Sequence, residues 1–463
     1  MNKPSIIAIF DLGKTNKKLF LFDKRYDVVE ERTRPFPETT DEDGFPCDDI
    51  QAITSWVHEE LDKLVNNPKW KLAAFNCCAY GASFVHVDPG GKILTPLYNY
   101  LKPYPEKLQQ QLYDLYEGQM TFARKTASPI LGSLNSGLQL YRLRIEKPEV
   151  FEKIHYALHL PQYISYLVTG RAYSDITSIG CHTALWDFGQ HNYHEWVTRE
   201  QLAPKLAPIY QGDRGFAFNH KGYPLLAGVG LHDSSAALIP YLTGFSQPFA
   251  LLSTGTWCIT LNPFNQSSLT ADELEMDCLC YMEYRGKPIK ASRLFAGQEH
   301  EQQSKKIATH FGQPADFYKH VAFSAESMSR LSMKNKKENN PVPAFNIESS
   351  GFEKRELGSF RDAPEAYHQL IADLVSQQVS STNLVLLKGP VKKIFVDGGF
   401  GKNPIYMQLL ANAFPRHEVF AASLAQASAL GAALAIHHSW NENPPSRDYI
   451  EVKYYPATRS LGL

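Results

Sequence analysis

The stretch "GVGLHDSSAAL", residues 228 to 238, sets one carboxylate, Asp233, at the head of a small-residue run with helical spacing. An acid at a helix start is ordinarily a cap. The same place suits a proton acceptor, because the helix dipole favours the ionised form. The glycines before it would let a substrate come close to the helix start. A second carboxylate, Asp11, ends the apolar run "IIAIFDLG", and the turn after it carries Lys14, Thr15, Asn16, Lys17 and Lys18. Hydroxyls and cations of this kind hold β- and γ-phosphates, and Asp11 could bind Mg²⁺ directly or through water. A similar strand enters a glycine turn at "FALLSTGTWCITLNP", with Thr254 and Thr256. A third, "VKKIFVDGGF", runs into Gly399 and then a helix beginning near Asn403. Such turns expose backbone N–H groups to an anion. The phosphate-loop pattern G-x-x-x-x-G-K-[ST] does not occur. Either turn alone reads as a plain hairpin; their recurrence suggests a polyphosphate held from two sides.

Positioning these groups takes strands that alternate with helices. The spacing predicts helices over 49–65, 137–154 and 161–170, and "LAAFNCCAYGASFVHVD" reads as strand, turn and strand. The pattern is that of an α/β fold. Two similar openings, at Asp11 and Ser253, imply two halves with an internal repeat and a cleft between them. The division falls within 242–247, giving domains 1–243 and 244–463. The small-residue helix in "ASLAQASALGAALAIHH" would pack tightly under a loop. The polar stretch 333–356 reads as a surface excursion or lid.

The chain of 463 residues is 43% hydrophobic and 21% charged, enough to bury substantial cores. Lys+Arg number 47 and Asp+Glu 48, a net charge of -1, which argues against a general nucleic-acid or acidic-membrane binder. The opening apolar run is too short for a secretion signal and no stretch reaches membrane-helix length, so the expected location is the cytoplasm. The seven cysteines are expected to be reduced, with Cys278 and Cys280 in or beside a strand and structural zinc not expected.

In order along the chain, "FDLGKTNKK", "GLHDSSAA", "STGTW", and "DGGFGKNPIYMQ" with "ASALGAA" resemble the motifs of the FGGY family of carbohydrate kinases. Within it, "YGASFVHVDPGGKI" and "LPQYISYLVTG" with "SDITSIGCHTALWDF" are most similar to rhamnulokinase- and fuculokinase-like members. The resemblance implies two ribonuclease-H-like domains, as in actin and hexokinase, around an interdomain cleft. It implies transfer of the γ-phosphate of ATP to a ketose hydroxyl, the ketose being a 6-deoxyketohexose or a ketopentose. Asp233 would be the general base, and Gly81, Ala82, Ser83, His232 and Ser234 would line the sugar. Lys14, Thr15, Asn16, Lys18, Thr256, Gln302, Gly399 and Asn403 would hold ATP, and Asp11 the Mg²⁺. It leaves a homodimer open. The chain departs from the family at Lys14, usually small or hydroxylic, at Ser83, usually acidic, and at Gln426, often Glu. The run "RLFAG", 293–297, lacks an Asn found on the substrate side of rhamnulokinases. An actin- or chaperone-like nucleotide switch, or a degenerate kinase serving as a sugar sensor, remain the alternatives.

Overall fold

The computed structural model describes residues 3–337, 345–386, 390–446 and 448–458. The first half is built on a sheet of β1 (Ser5–Leu12), β2 (Lys17–Asp23), β3 (Val28–Arg34), β4 (Lys71–Ala79) and β5 (Tyr223–Ala227). Its order is β3-β2-β1-β4-β5, with strand Phe216–His220 outside β5. The first three strands are antiparallel, whereas β4 runs parallel to both β1 and β5. The second half repeats this with β6 (Phe249–Thr254), β7 (Cys258–Asn262), β8 (Pro288–Leu294), β9 (Lys393–Gly398) and β10 (Glu418–Ser423). The order there is β8-β7-β6-β9-β10, again with three antiparallel strands followed by two parallel ones. Both halves therefore have the ribonuclease-H-like strand order, and the repeat expected from the two hairpin openings is present.

β1 is apolar almost throughout because helices cover both of its faces. Ile6, Ala8 and Phe10 face α1 (Ile50–Val65) and α2 (Leu160–Thr169), where Phe10 meets Trp56 edge-on at 5.0 Å. Asp49 caps α1 by accepting from the N–H groups of Gln51 and Ala52, and Gly170 ends α2 in the left-handed conformation. Ile7 and Ile9 face the other way, toward α3 (Asp233–Gly244) and a helix of the second half. The 137–154 segment is two helices, Ser136–Glu146 and Pro148–Lys153. Pro148 disfavours helical backbone at Lys147 and breaks it there.

The second half adds α4 (Ala296–His310), α5 (Ala363–Leu386), α6 (Pro404–Ala413) and α7 (Ala427–Ala435). The small residues of α7 serve a helix crossing rather than a loop. It packs on α3, β1 and β4, and a Cβ on Gly431 would collide with the Ala236 carbonyl. Asn76 Nδ2 donates to the Ala432 carbonyl at 2.8 Å, tying the halves together. All seven cysteines are free and buried, with Cys278 and Cys280 in strand Cys278–Met282. Of the stretch 333–356, residues 338–344 lie outside the described residues. Beyond them the chain is anchored: Ser350 donates to Glu299 through both N–H, at 2.6 Å, and Oγ, at 2.7 Å. Among the described residues no helix is long and apolar enough to cross a membrane.

Candidate active site

Asp233 is the first residue of α3, not its cap; His232 occupies the cap position and makes no side-chain capping bond. Asp233 Oδ1 accepts the Ser234 N–H at 2.6 Å and lies 3.3 Å from His232 Nε2. His232 is buried, and burial pushes its pKa below the ordinary histidine value against the pull of Asp233. The Thr177 hydroxyl accepts the His232 backbone N–H at 2.9 Å, Cys181 Sγ sits 3.4 Å from its Nε2, and Tyr281 of the second half stacks on its ring at 5.8 Å. The glycines of "GVGLHD" admit the protein's own groups rather than a substrate. A Cβ on Gly228 would strike the Asn76 amide, and one on Gly230, at φ +83°, the Pro161 carbonyl.

Asp11, next to last in β1, is in register with Lys18. Burial, and then the facing charge of Asp233, push its carboxyl up to about 6, while the Cys78 thiol donates to Oδ1 at 3.4 Å. Thr15 and Asn16 are exposed at the tip of the β1–β2 turn. The lysines of this turn are already partnered. Lys18 Nζ donates to Glu31 at 2.7 Å, and buried Lys17 to Asp48 at 2.7 Å and the Lys14 carbonyl at 2.9 Å. Lys14 donates to Asp48 at 2.9 Å.

After β4, Gly81 lies so close to His232 that a Cβ would come within 2.9 Å of its ring. Ala82 holds a left-handed backbone at φ 63°, and its carbonyl accepts from Gln139 Nε2 at 2.7 Å. Ser83 is buried and donates to the Tyr98 carbonyl at 3.0 Å, so its hydroxyl holds the neighbouring loop.

The second half contributes an open cleft of about 720 Å³. Thr254, Gly255, Thr256, Gly297, His300, Tyr318, Gly399 and Asn403 are among its walls. Gln302 is exposed and outside this lining, although Gln298 and Glu301 of the same helix belong to it. Asn403 has two structural duties: its Oδ1 caps α6, and its Nδ2 donates to Tyr367 at 2.7 Å. Gly398 is the glycine the turn cannot replace. Its φ is +93°, and a Cβ would collide with the Thr254 carbonyl, whereas one on Gly399 meets nothing within 4 Å. The Thr254 hydroxyl spans the strands, donating to the Asp397 carbonyl at 2.6 Å and accepting the Phe400 N–H at 3.0 Å. Gly297 packs its α-carbon against the Gly255 carbonyl, setting the start of α4 on the phosphate-type turn.

Sequence reasoning missed Asp48, Tyr80, Gly297, His300 and Tyr318. Glycine spacing in "RLFAGQ" could have pointed to Gly297; nothing local marks Asp48, which meets its lysines only through the fold.

The FGGY family N-terminal domain profile matches residues 6–203, and the carbohydrate kinase FGGY C-terminal domain profile matches 246–444. A rhamnulokinase of Oceanobacillus iheyensis is 20% identical over 245 residues, and an L-fuculokinase of Escherichia coli 22% over 283. The first match spans 50% of this chain and 50% of that relative, the second 56% and 57%. A carbohydrate kinase from Novosphingobium aromaticivorans superposes with a TM-score of 0.79 at 22% identity, over 98% of this chain and 95% of that one. A ligand-bound xylulose kinase from Lactobacillus acidophilus gives 0.75 at 16%, over 98% and 94%. With a family domain matched in each half and the strand order repeated between them, the chain belongs to the FGGY family of carbohydrate kinases.

Proposed function

We propose that the protein transfers the γ-phosphoryl group of ATP to a ketose hydroxyl, with Asp233 as general base. The observation that carries this reading is the placement of Asp233: it opens α3 opposite Asp11, beside the acceptor-side Gly81. ATP would lie in the cleft walled by Thr256, Gly399 and Asn403, its phosphates reaching toward Thr15 and Asn16. The acceptor oxygen attacks the γ-phosphorus, its proton passes to an Asp233 carboxylate oxygen, and the bond to the β-phosphate oxygen breaks to release ADP. Such transfer needs positioning and charge stabilisation more than covalent help from the protein. The Ser234 N–H, donating at 2.6 Å, holds Oδ1 and leaves Oδ2 for the proton. Closure of the halves, divided near 243 and 244, would exclude water as a competing acceptor.

The donor set suits Mg²⁺. Asp11 is a desolvated carboxylate facing another, and a thiol is its side-chain hydrogen-bond donor. Among the described residues no three His, Cys, Asp or Glu side chains gather as a cage. That fits an ion bound through one or two carboxylates plus substrate phosphates and water. Asp11 would hold it, and when bound it would neutralise phosphate charge.

The test is a coupled assay of ATP consumption over ketopentoses, 6-deoxyketohexoses, tetruloses and polyols. ATP use that depends on one of these sugars is expected. Uniform inactivity, or hydrolysis independent of sugar, would sink the reading. Asp233→Asn should lower kcat by roughly 10²–10⁴-fold, the usual contribution of a positioned base, while its melting temperature and MgADP affinity stay at the parent values. Near-full turnover in that variant removes Asp233 from the role.

A further inference from the structure

Lys14 stands at a turn whose residues the family resemblance gives to the nucleotide, yet its side chain is turned elsewhere. Its Nζ donates to Asp48 Oδ2 at 2.9 Å, reaches Glu38 at 3.4 Å and lies 5.7 Å over the Tyr80 ring. Asp48 also receives Lys17 at 2.7 Å and the Tyr80 hydroxyl at 2.6 Å. Burial would raise the Asp48 carboxyl, but these three donors outweigh it and hold it below the usual carboxylate range. We propose that Lys14 is an acceptor-side residue. Clamped by Asp48, it donates to a hydroxyl of an uncharged ketose or polyol other than the one phosphorylated. This rests on the sugar-kinase reading above.

Three observations carry it. Lys17 and Asp48 are each 3% exposed by side chain and closed to a ligand, whereas Lys14 is 25% exposed. An ammonium has three donors. Asp48 takes one and Glu38, at 3.4 Å, takes a second only weakly, so an N–H remains for a ligand. Next, Tyr80 leads directly into Gly81, which abuts His232 beside Asp233. Tyr100 packs on Tyr80 at 6.0 Å, and its phenol, raised by burial, is influenced by Lys14, Asp233 and Asp48. A chain of contacts, Lys14 over the Tyr80 ring and Gly81 against His232, thus leads from Lys14 to Asp233. Last, Lys14 and Lys17 are balanced by Asp48 and Glu38. A wall without net positive charge suits neutral hydroxyls better than a polyphosphate or a sugar acid.

The experiment compares Lys14→Met, which keeps most of the aliphatic stem, with the parent enzyme. For the ketose accepted in the assay, KM is expected to rise about tenfold or more, the loss of one charge-assisted hydrogen bond. The MgADP dissociation constant from calorimetry should stay the same. Asp48→Asn, which keeps Lys14 but loosens the clamp, should raise the same KM by a smaller factor, and it serves if the first variant does not fold. An unchanged ketose KM overturns the proposal, as does MgADP binding weakened tenfold. Preference of the parent enzyme for gluconate over neutral sugars overturns the neutral-acceptor part. If no sugar consumes ATP, the kinase reading fails by itself, and the MgADP titration of Lys14→Met still decides whether Lys14 serves the nucleotide.

Discussion

At the scale of single residues, function-bearing and structure-bearing groups sit side by side and have different tolerances. Gly398 and Gly399 adjoin in sequence and face opposite demands. Gly398→Ala combines a left-handed backbone with a collision against the Thr254 carbonyl, so it should lose roughly 1–3 kcal/mol or more in a denaturant titration. Gly399→Ala has open space around its Cβ and should stay within about 0.5 kcal/mol of the parent. Equal losses would mean the turn is not held as described. The place of Asp233 at the start of α3 was legible because an acid before a small-residue run is a recognisable helix opening. The packing of Ser83 was not: nothing local marks the bond its hydroxyl donates to the Tyr98 carbonyl. Asp48 was invisible because its three partners lie 31 to 34 residues away.

Among the elements, α3 does the most connecting. It carries Asp233 at its first residue, and two turns later the Tyr241 hydroxyl donates to Asp397 at 2.9 Å at the end of β9. Burial raises the Asp397 carboxyl, which the Tyr241 donor partly offsets. One rigid helix thus links the proposed base to the strand that opens the Gly398–Gly399 turn. Its partner α7 approaches it through Gly431 with no side chain between the backbones. Gly431→Val would drive a branched side chain into the Ala236 carbonyl. Overpacking of this kind costs typically 1–3 kcal/mol, so a lower melting temperature is expected, together with a weaker MgADP affinity because α7 and α3 hold the halves in register. A variant that melts with the parent would show that the helices can part freely. The helix periods were readable from apolar spacing; the destination of α7 was not, because small residues suit any close approach and only tertiary contact selects one.

For the whole molecule, buried titratable groups set the acid response. Burial lowers His86 and His300 to about 4 and His159 and His182 to about 3, from the ordinary 6.5. Below pH 6.5 the unfolded chain binds protons at these sites that the folded protein refuses, so each removes stability as pH falls toward its folded value. Asp175, raised to about 7 by burial, acts oppositely: the folded state binds its proton more readily between 3.8 and 7, which adds stability as pH falls. Four such histidines outweigh it, and melting temperature should fall between pH 7 and 5. Asp11, raised to about 6, acts in the same sense as Asp175, so Asp175→Asn removes one of the opposing groups and should steepen that fall; a flat profile would contradict both statements. At this scale the repeat was legible from two hairpin openings, because strand-turn-strand patterns are local. The β3-β2-β1-β4-β5 order was not, since pairing between distant strands leaves no local trace.

The crossing of α7 into the first half also bears on where the polypeptide can be cut. A nick between residues 245 and 246, just past α3, would separate two chains that each hold a complete ribonuclease-H-like sheet. The first fragment alone would leave Ile7, Ile9, Ala74 and Leu231 without the cover that Ala429, Ala432 and Ala433 provide. Made alone, that fragment should aggregate; co-expressed with the second, it should reassemble into a soluble pair.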